Sequence, residues 1–186
     1  METNNFSKMS VPLIIFLCFI FVNIECKSLN GYIVNNSSGI GYKIMFKSQT
    51  WPAARDSCVD EGGKLAVPKT QDDFQFIQKL VRGMYYPNVT DSEYKPLVWL
   101  GVNNLDDYRV WKTIDGLDLK DAGFNKWVDG NGKGFSDAVE EPHCAGVDPI
   151  NPGLRDYWCH RRQPYMCQAD ALPVQRSARR SFWWWW

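Results

Sequence analysis

With 186 residues, 45% of them hydrophobic and 23% charged, the chain has room for one domain of ordinary size with short extensions. Its 21 basic residues balance its 21 acidic ones, so bulk charge gives no footing for a nucleic-acid partner.

Residues 11–22 (VPLIIFLCFIFV) form an almost unbroken apolar run behind a polar leader that carries Lys8. A membrane span needs about 20 such residues, so no transmembrane segment is expected and the run suits the core of a signal peptide. Residues 1–26 are read as that signal peptide and residues 27–40 as an N-terminal extension of a secreted, extracellular chain. An uncleaved anchor or a buried helix is the alternative. Cleavage after Cys26 or Ser28 leaves Cys58, Cys144, Cys159 and Cys167. Four cysteines in an oxidising compartment predict two bridges, with three possible connectivities. The sequons Asn35-Asn36-Ser37, Asn36-Ser37-Ser38 and Asn88-Val89-Thr90 mark Asn35, Asn36 and Asn88 as candidate glycosylation sites.

Residues 41–47 alternate as a strand would. A helix then starts at Thr50: Trp51, Ala54 and Cys58 recur at i, i+3 and i+7, and Gly62-Gly63 stops it. Pro52 is tolerated in the first turn, where its missing N–H has no helical partner. A short strand is expected at residues 64–67. Thr70 caps a second helix with Asp73 three residues on, and Phe74, Ile77, Leu80 and Val81 form its apolar face before Arg82-Gly83 ends it. Residues 84–96 read as a tyrosine-bearing loop. Val98-Trp99-Leu100-Gly101-Val102 reads as a fully buried strand, its glycine marking close packing. Residues 109–111 are a further candidate strand. Residues 115–156 are expected to be mostly loop, and a loop of that length in a compact domain is usually functional or disordered. Beyond residue 168 come Arg176, Arg179, Arg180 and four closing tryptophans. That basic, Trp-rich tail of residues 169–186 reads either as an interfacial anchor or, more simply, as a disordered or artefactual product of a triplet repeat.

Trp51-x-x-Ala54-x-x-x-Cys58-x-x-x-Gly62-Gly63-x-Leu65, then Trp99-Leu100-Gly101, then Cys144, Cys159 and Cys167 together resemble the C-type lectin-like domain. The likeness runs over residues 41–168 and is strongest to arthropod haemolymph lectins, some of which bind bacterial lipopolysaccharide. It implies an α+β fold: two helices, small antiparallel sheets and a long loop region that carries the ligand site. It also implies bridges Cys58–Cys167 and Cys144–Cys159.

In sugar-binding members of that family a calcium ion in the long loop is held by oxygens that also meet two sugar hydroxyls. Calcium takes about six to eight oxygens, so several carboxylates and amides must converge. The resemblance places Asp129-Gly130-Asn131 at the family's ligand tripeptide, without its proline. Glu141 falls near another ligand glutamate, and Asp156 matches the last. Arg155, beside it, stands where the family has an asparagine ligand, and a cation there opposes a divalent ion. Asp129, Asn131, Glu141 and Asp156 are thus the candidate Ca²⁺ set, the alternative being solvated turn residues. His160-Arg161-Arg162 adds a basic corner whose guanidiniums suit phosphate or carboxylate on a bacterial glycolipid, the alternative being a solvated turn between the last two strands. With Arg155, Arg161 and Arg162, these residues form the expected ligand-binding surface. Trp127 and Tyr157 could stack on sugar rings, whereas the resemblance assigns Trp158 to the core.

An enzyme is not expected. Both histidines, His143 and His160, abut cysteines, and in a secreted chain disulfide formation removes that quartet as zinc ligands. No nucleophile motif stands beside a base. The expected role is therefore a carbohydrate- or microbial-surface-binding lectin of the innate-immune kind with a degenerate calcium site. A calcium-independent module that binds a protein partner on the same fold is the alternative.

Overall fold

A computed structural model describes residues 31–133 and 143–171. The expected signal peptide, Glu141 and the tail beyond residue 171 lie outside the described residues. The strands are β1 (Ile33–Asn35), β2 (Ile40–Gln49), β3 (Lys64–Leu65), β4 (Val98–Asn103), β5 (Lys112–Thr113), β6 (His143–Val147), β7 (Arg155–Trp158) and β8 (Gln163–Asp170). They form one sheet in the order β1-β2-β8-β4-β6-β7, with β3 added on β8 and β5 on β4. The contact between β4 and β8, at Trp99 and Tyr165, is parallel; the other pairings are antiparallel.

Helix α1 (Trp51–Asp60) turns Trp51, Ala54 and Cys58 inward, as their spacing requires. Helix α2 (Gln71–Arg82) opens with the Thr70 hydroxyl accepting from the Asp73 amide at 3.1 Å. Acidic residues in its first turn and Lys79 and Arg82 in its last complement the helix dipole. Phe74, Ile77 and Val81 are buried on one face, but Leu80 is only half-buried. Gln78 is buried as well, because its amide donates to the carbonyls of Asp148 and Asn151 at 3.1 and 2.6 Å.

Strand β4 explains its own unbroken apolar sequence. Val98, Leu100 and Val102 join the larger core beneath α2, with Phe74, Ile77 and Met166. Trp99 faces the other side, in a cluster with Trp51, Leu65, Tyr165 and the half-cystines. Two buried indoles are satisfied across this cluster: Trp51 donates to the Leu100 carbonyl at 2.7 Å and Trp99 to that of Gln49 at 3.2 Å. Gly101 is the close approach its sequence context suggested. A Cβ there would sit 2.8 Å from the Leu65 carbonyl oxygen and 2.9 Å from Val67 Cγ2.

Both bridges implied by the resemblance are present. Cys58–Cys167 ties α1 to β8 across 109 residues, and Cys144–Cys159 ties β6 to the turn after β7 across 15. Two local expectations need correction. Residues 109–111 are not a strand: the Val110 amide bonds Asp107 in a turn, and pairing with β4 begins only at Lys112. The long loop contains β6, fully buried between β4 and β7. Among the described residues no helix is long and apolar enough to cross a membrane.

Candidate functional site

The turn that carries Asp129 and Asn131 hangs from β7. The Val128 amide donates to the Leu154 carbonyl and the Leu154 amide to that of Lys126, each at 2.9 Å, which docks the segment against the start of that strand. Gly132 then takes a positive φ of 73°, and a Cβ there would fall 2.4 Å from the Trp127 ring. Trp111 packs on Trp127 with ring centroids 4.5 Å apart and donates from its indole to the Gly132 carbonyl at 3.1 Å. Both tryptophans therefore serve as the floor of the turn, and Trp127 is only partly exposed.

Two predicted site residues meet here. Asp156 Oδ2 accepts from the Gly132 amide at 2.9 Å, and Asn131 Oδ1 accepts from the Asp156 amide at 3.1 Å. The pair is a reciprocal clasp between turn and strand. His143 Nδ1 lies 3.9 Å from the same Asp156 oxygen. Asp129 is exposed two residues away, and its carbonyl accepts from the Asn131 side chain at 3.2 Å. Glu141 lies outside the described residues.

Arg155 does not stand beside this clasp. Side chains alternate along a strand, so Arg155 leaves β7 on the face opposite Asp156. Its guanidinium meets Asp148 Oδ2 at 3.0 Å and lies 5.7 Å from the Tyr94 ring centre. Asp148 is a residue that sequence reasoning missed. It is 3% exposed, and its carboxylate accepts from the amides of Ile150 and Asn151, the Asn151 side chain and Arg155. Burial alone would raise its carboxyl; those donors outweigh it and hold it below the usual carboxylate range. An Asp-Pro dipeptide in a loop carried only a turn signal, with nothing to announce a buried anion.

The basic corner is partly spent. Arg161 bonds Glu93 at 2.6 Å and sits 5.8 Å over the Trp158 ring, while Arg162 and His160 are exposed. Trp158 is half-buried, so it borders the surface where the resemblance had put it in the core. Tyr157, expected to be available for stacking, instead leans on Trp99 with ring centroids 6.3 Å apart.

The profile of the family described as "Lectin C-type domain" matches residues 47–169. This chain belongs to the Lectin C-type domain family. Among its relatives, it is 28% identical over 137 residues to the secretory phospholipase A2 receptor of Mus musculus, spanning 73% of this chain and 8% of the receptor. It is also 28% identical over 136 residues to the hemolymph lipopolysaccharide-binding protein of Periplaneta americana, spanning 72% of this chain and 51% of that protein. The chain thus spans about half or less of these relatives. The carbohydrate-recognition domain of the mouse scavenger receptor C-type lectin superposes with a TM-score of 0.59 at 16% identity, covering 75% of this chain and 95% of the other.

Within the Lectin C-type domain the calcium question can be put to the donor set. Calcium takes about six to eight oxygens at roughly 2.3–2.6 Å. The turn offers the carboxylates of Asp129 and Asp156 and the amide oxygen of Asn131, and both Asn131 Oδ1 and Asp156 Oδ2 already accept from the backbone. Among the described residues no group of three or more His, Cys, Asp or Glu side chains could hold a metal. The described donors do not fit a calcium cage.

Proposed function

We propose that this Lectin C-type domain protein is a secreted recognition module of the innate-immune kind. It binds carbohydrate, or another microbial-surface ligand such as a bacterial glycolipid, at the turn of residues 127–132 and β7, and its calcium site is degenerate. The observation that carries this reading is the clasp, in which Asn131 and Asp156 hold the turn through backbone amides where a metal would otherwise organise it. The two disulfides suit an oxidising compartment, and the name of the Periplaneta americana relative supports a microbial-surface ligand. The role is recognition, not catalysis.

The test is binding of the full chain to an array of glycans and bacterial glycolipids, with calcium and with chelator, alongside calorimetric titration of calcium. Binding that survives chelator and is lost in Asp156→Ala is the expected result. Binding that needs calcium, with a saturable heat, would show a working metal loop instead. A second reading, as a protein-binding module, is favoured by one feature: Tyr94 and Ile150, 41% and 80% exposed, border an apolar hollow with Tyr86, Pro96 and Pro149. Silence on every glycan and glycolipid would turn the assignment to that hollow.

A further inference from the structure

All three sequons satisfy the Asn-x-Ser/Thr pattern, but the fold treats their asparagines differently. Asn35 ends β1 and is 5% exposed. Its Nδ2, the atom a glycan would modify, donates to Asp73 Oδ1 at 3.3 Å, and its Oδ1 accepts from the Ser37 amide at 3.1 Å. Asp73 is itself 3% exposed. A sugar on Asn35 would pull that amide out of the fold and strip a donor from a buried carboxylate. Asn36 is the next residue, in the turn between β1 and β2, and it is exposed. Asn88 ends the short helical turn Tyr86–Asn88 and is exposed too. Among the described residues neither side chain makes a hydrogen bond.

Both exposed asparagines stand beside the same surface. A groove of about 300 Å³ runs between the β1–β2 pair and the end of α2, lined by Ile33, Ile44, Phe46, Leu80, Met84 and Tyr85 among others. Ile33 is 56% exposed and Tyr85 65%. Asn36 lies three residues beyond Ile33 and Asn88 three beyond Tyr85, and three residues of chain span at most about 11 Å. Apolar surface next to a three-residue edge strand invites association with other chains.

We propose that Asn36 and Asn88, and not Asn35, carry N-linked glycans, and that these two sugars shield the groove. In the reaction a bond forms between the asparagine Nδ2 and the anomeric carbon of a lipid-diphosphate-linked oligosaccharide. The bond from that carbon to the diphosphate oxygen breaks, the carrier leaves with the electron pair, and the amide gives up one proton. Nothing is oxidised or reduced. The proposal rests on the secretion reading above.

The test is to express the full chain in eukaryotic cells and recover it from the medium. Glycans are then removed with an amidase in ¹⁸O-water, and the labelled aspartates are located by peptide fragmentation. Label at positions 36 and 88 with none at 35 is expected. Label at 35, or its absence at 36 or 88 in secreted protein, overturns the assignment while leaving secretion intact. A chain that never reaches the medium sinks the secretion reading and this one with it. Native deglycosylation should also raise the fluorescence of an apolar dye, and an Ile33→Ser, Tyr85→Ser variant should blunt that rise. An unchanged dye signal overturns the shielding role.

Discussion

Asp148 illustrates how much of this molecule is decided by single side chains that join distant segments. Its carboxylate gathers the Ile150 and Asn151 amides on one side and Arg155 on the other, while its carbonyl and that of Asn151 receive Gln78 from α2. A carboxyl held below its ordinary value of 3.8 stabilises the fold at every pH above that value, and the contribution drains away as pH falls through the lower, folded value. Asp148→Asn should therefore cost about 1.5–3 kcal/mol at neutral pH, the scale of hydrogen bonds to a charged group. Urea melts over a pH series should show wild type and variant converging in strong acid; a constant gap would mean the loss is one of packing. At this scale the family pattern picked out Asn131 and Asp156, which the fold brings into one clasp, and also Asp129, whose side chain stays exposed outside it. The sequence was not legible at Asp148, whose partners come from α2, its own loop and β7. Arg155 misled for a related reason. Adjacency in sequence put its charge beside Asp156, whereas strand alternation sends the two side chains to opposite faces.

Among the elements, β4 is where sequence and packing agree most closely. From Val98 to Val102 its alternate residues enter two different cores, so an apolar side chain is required at nearly every position, and the one exception in that run is a glycine pressed against β3; the strand then ends on the half-buried Asn103. Gly101→Ala should push Leu65 and Val67 off β4 and cost about 1–3 kcal/mol, the usual range for overpacking. Chemical denaturation measures it, and a change under about 0.5 kcal/mol, typical of an uncommitted surface site, would mean β3 moves aside freely. The helices were equally readable, since three inward residues at helical spacing define a face without help from elsewhere. β6 was not. Its sequence, HCAGV, is small and short, sits among loop-forming residues, and becomes a strand only because β4 and β7 flank it. The strand expected at residues 109–111 failed on the opposite ground. Trp111 looked like a strand residue because it is large and apolar, but its burial serves the turn of Gly132.

Over the whole molecule the two disulfides act on very different lengths of chain. In the chain-entropy account a closed loop of about 100 residues contributes roughly 4.7 kcal/mol and one of 15 about 3. With separations of 109 and 15, replacing Cys58 and Cys167 by alanine should cost more than replacing Cys144 and Cys159, by about 1–2 kcal/mol. Equilibrium unfolding of the two double variants would decide this; a reversed order would point to local strain or residual structure in the unfolded chain. The sheet order has a consequence of another kind. Both ends of the described domain leave from the β1–β2 side, where the Ala171 amide still bonds Gly39. Asp156 lies on β7, five strand steps from β1, or about 24 Å at the usual spacing of roughly 4.8 Å. A copy tethered through either end would keep its clasp turned outward. In the proposed recognition role, several copies held on one scaffold would then meet a repetitive surface together, each contact raising the effective concentration of the next, and a weak individual grip would become a durable collective one.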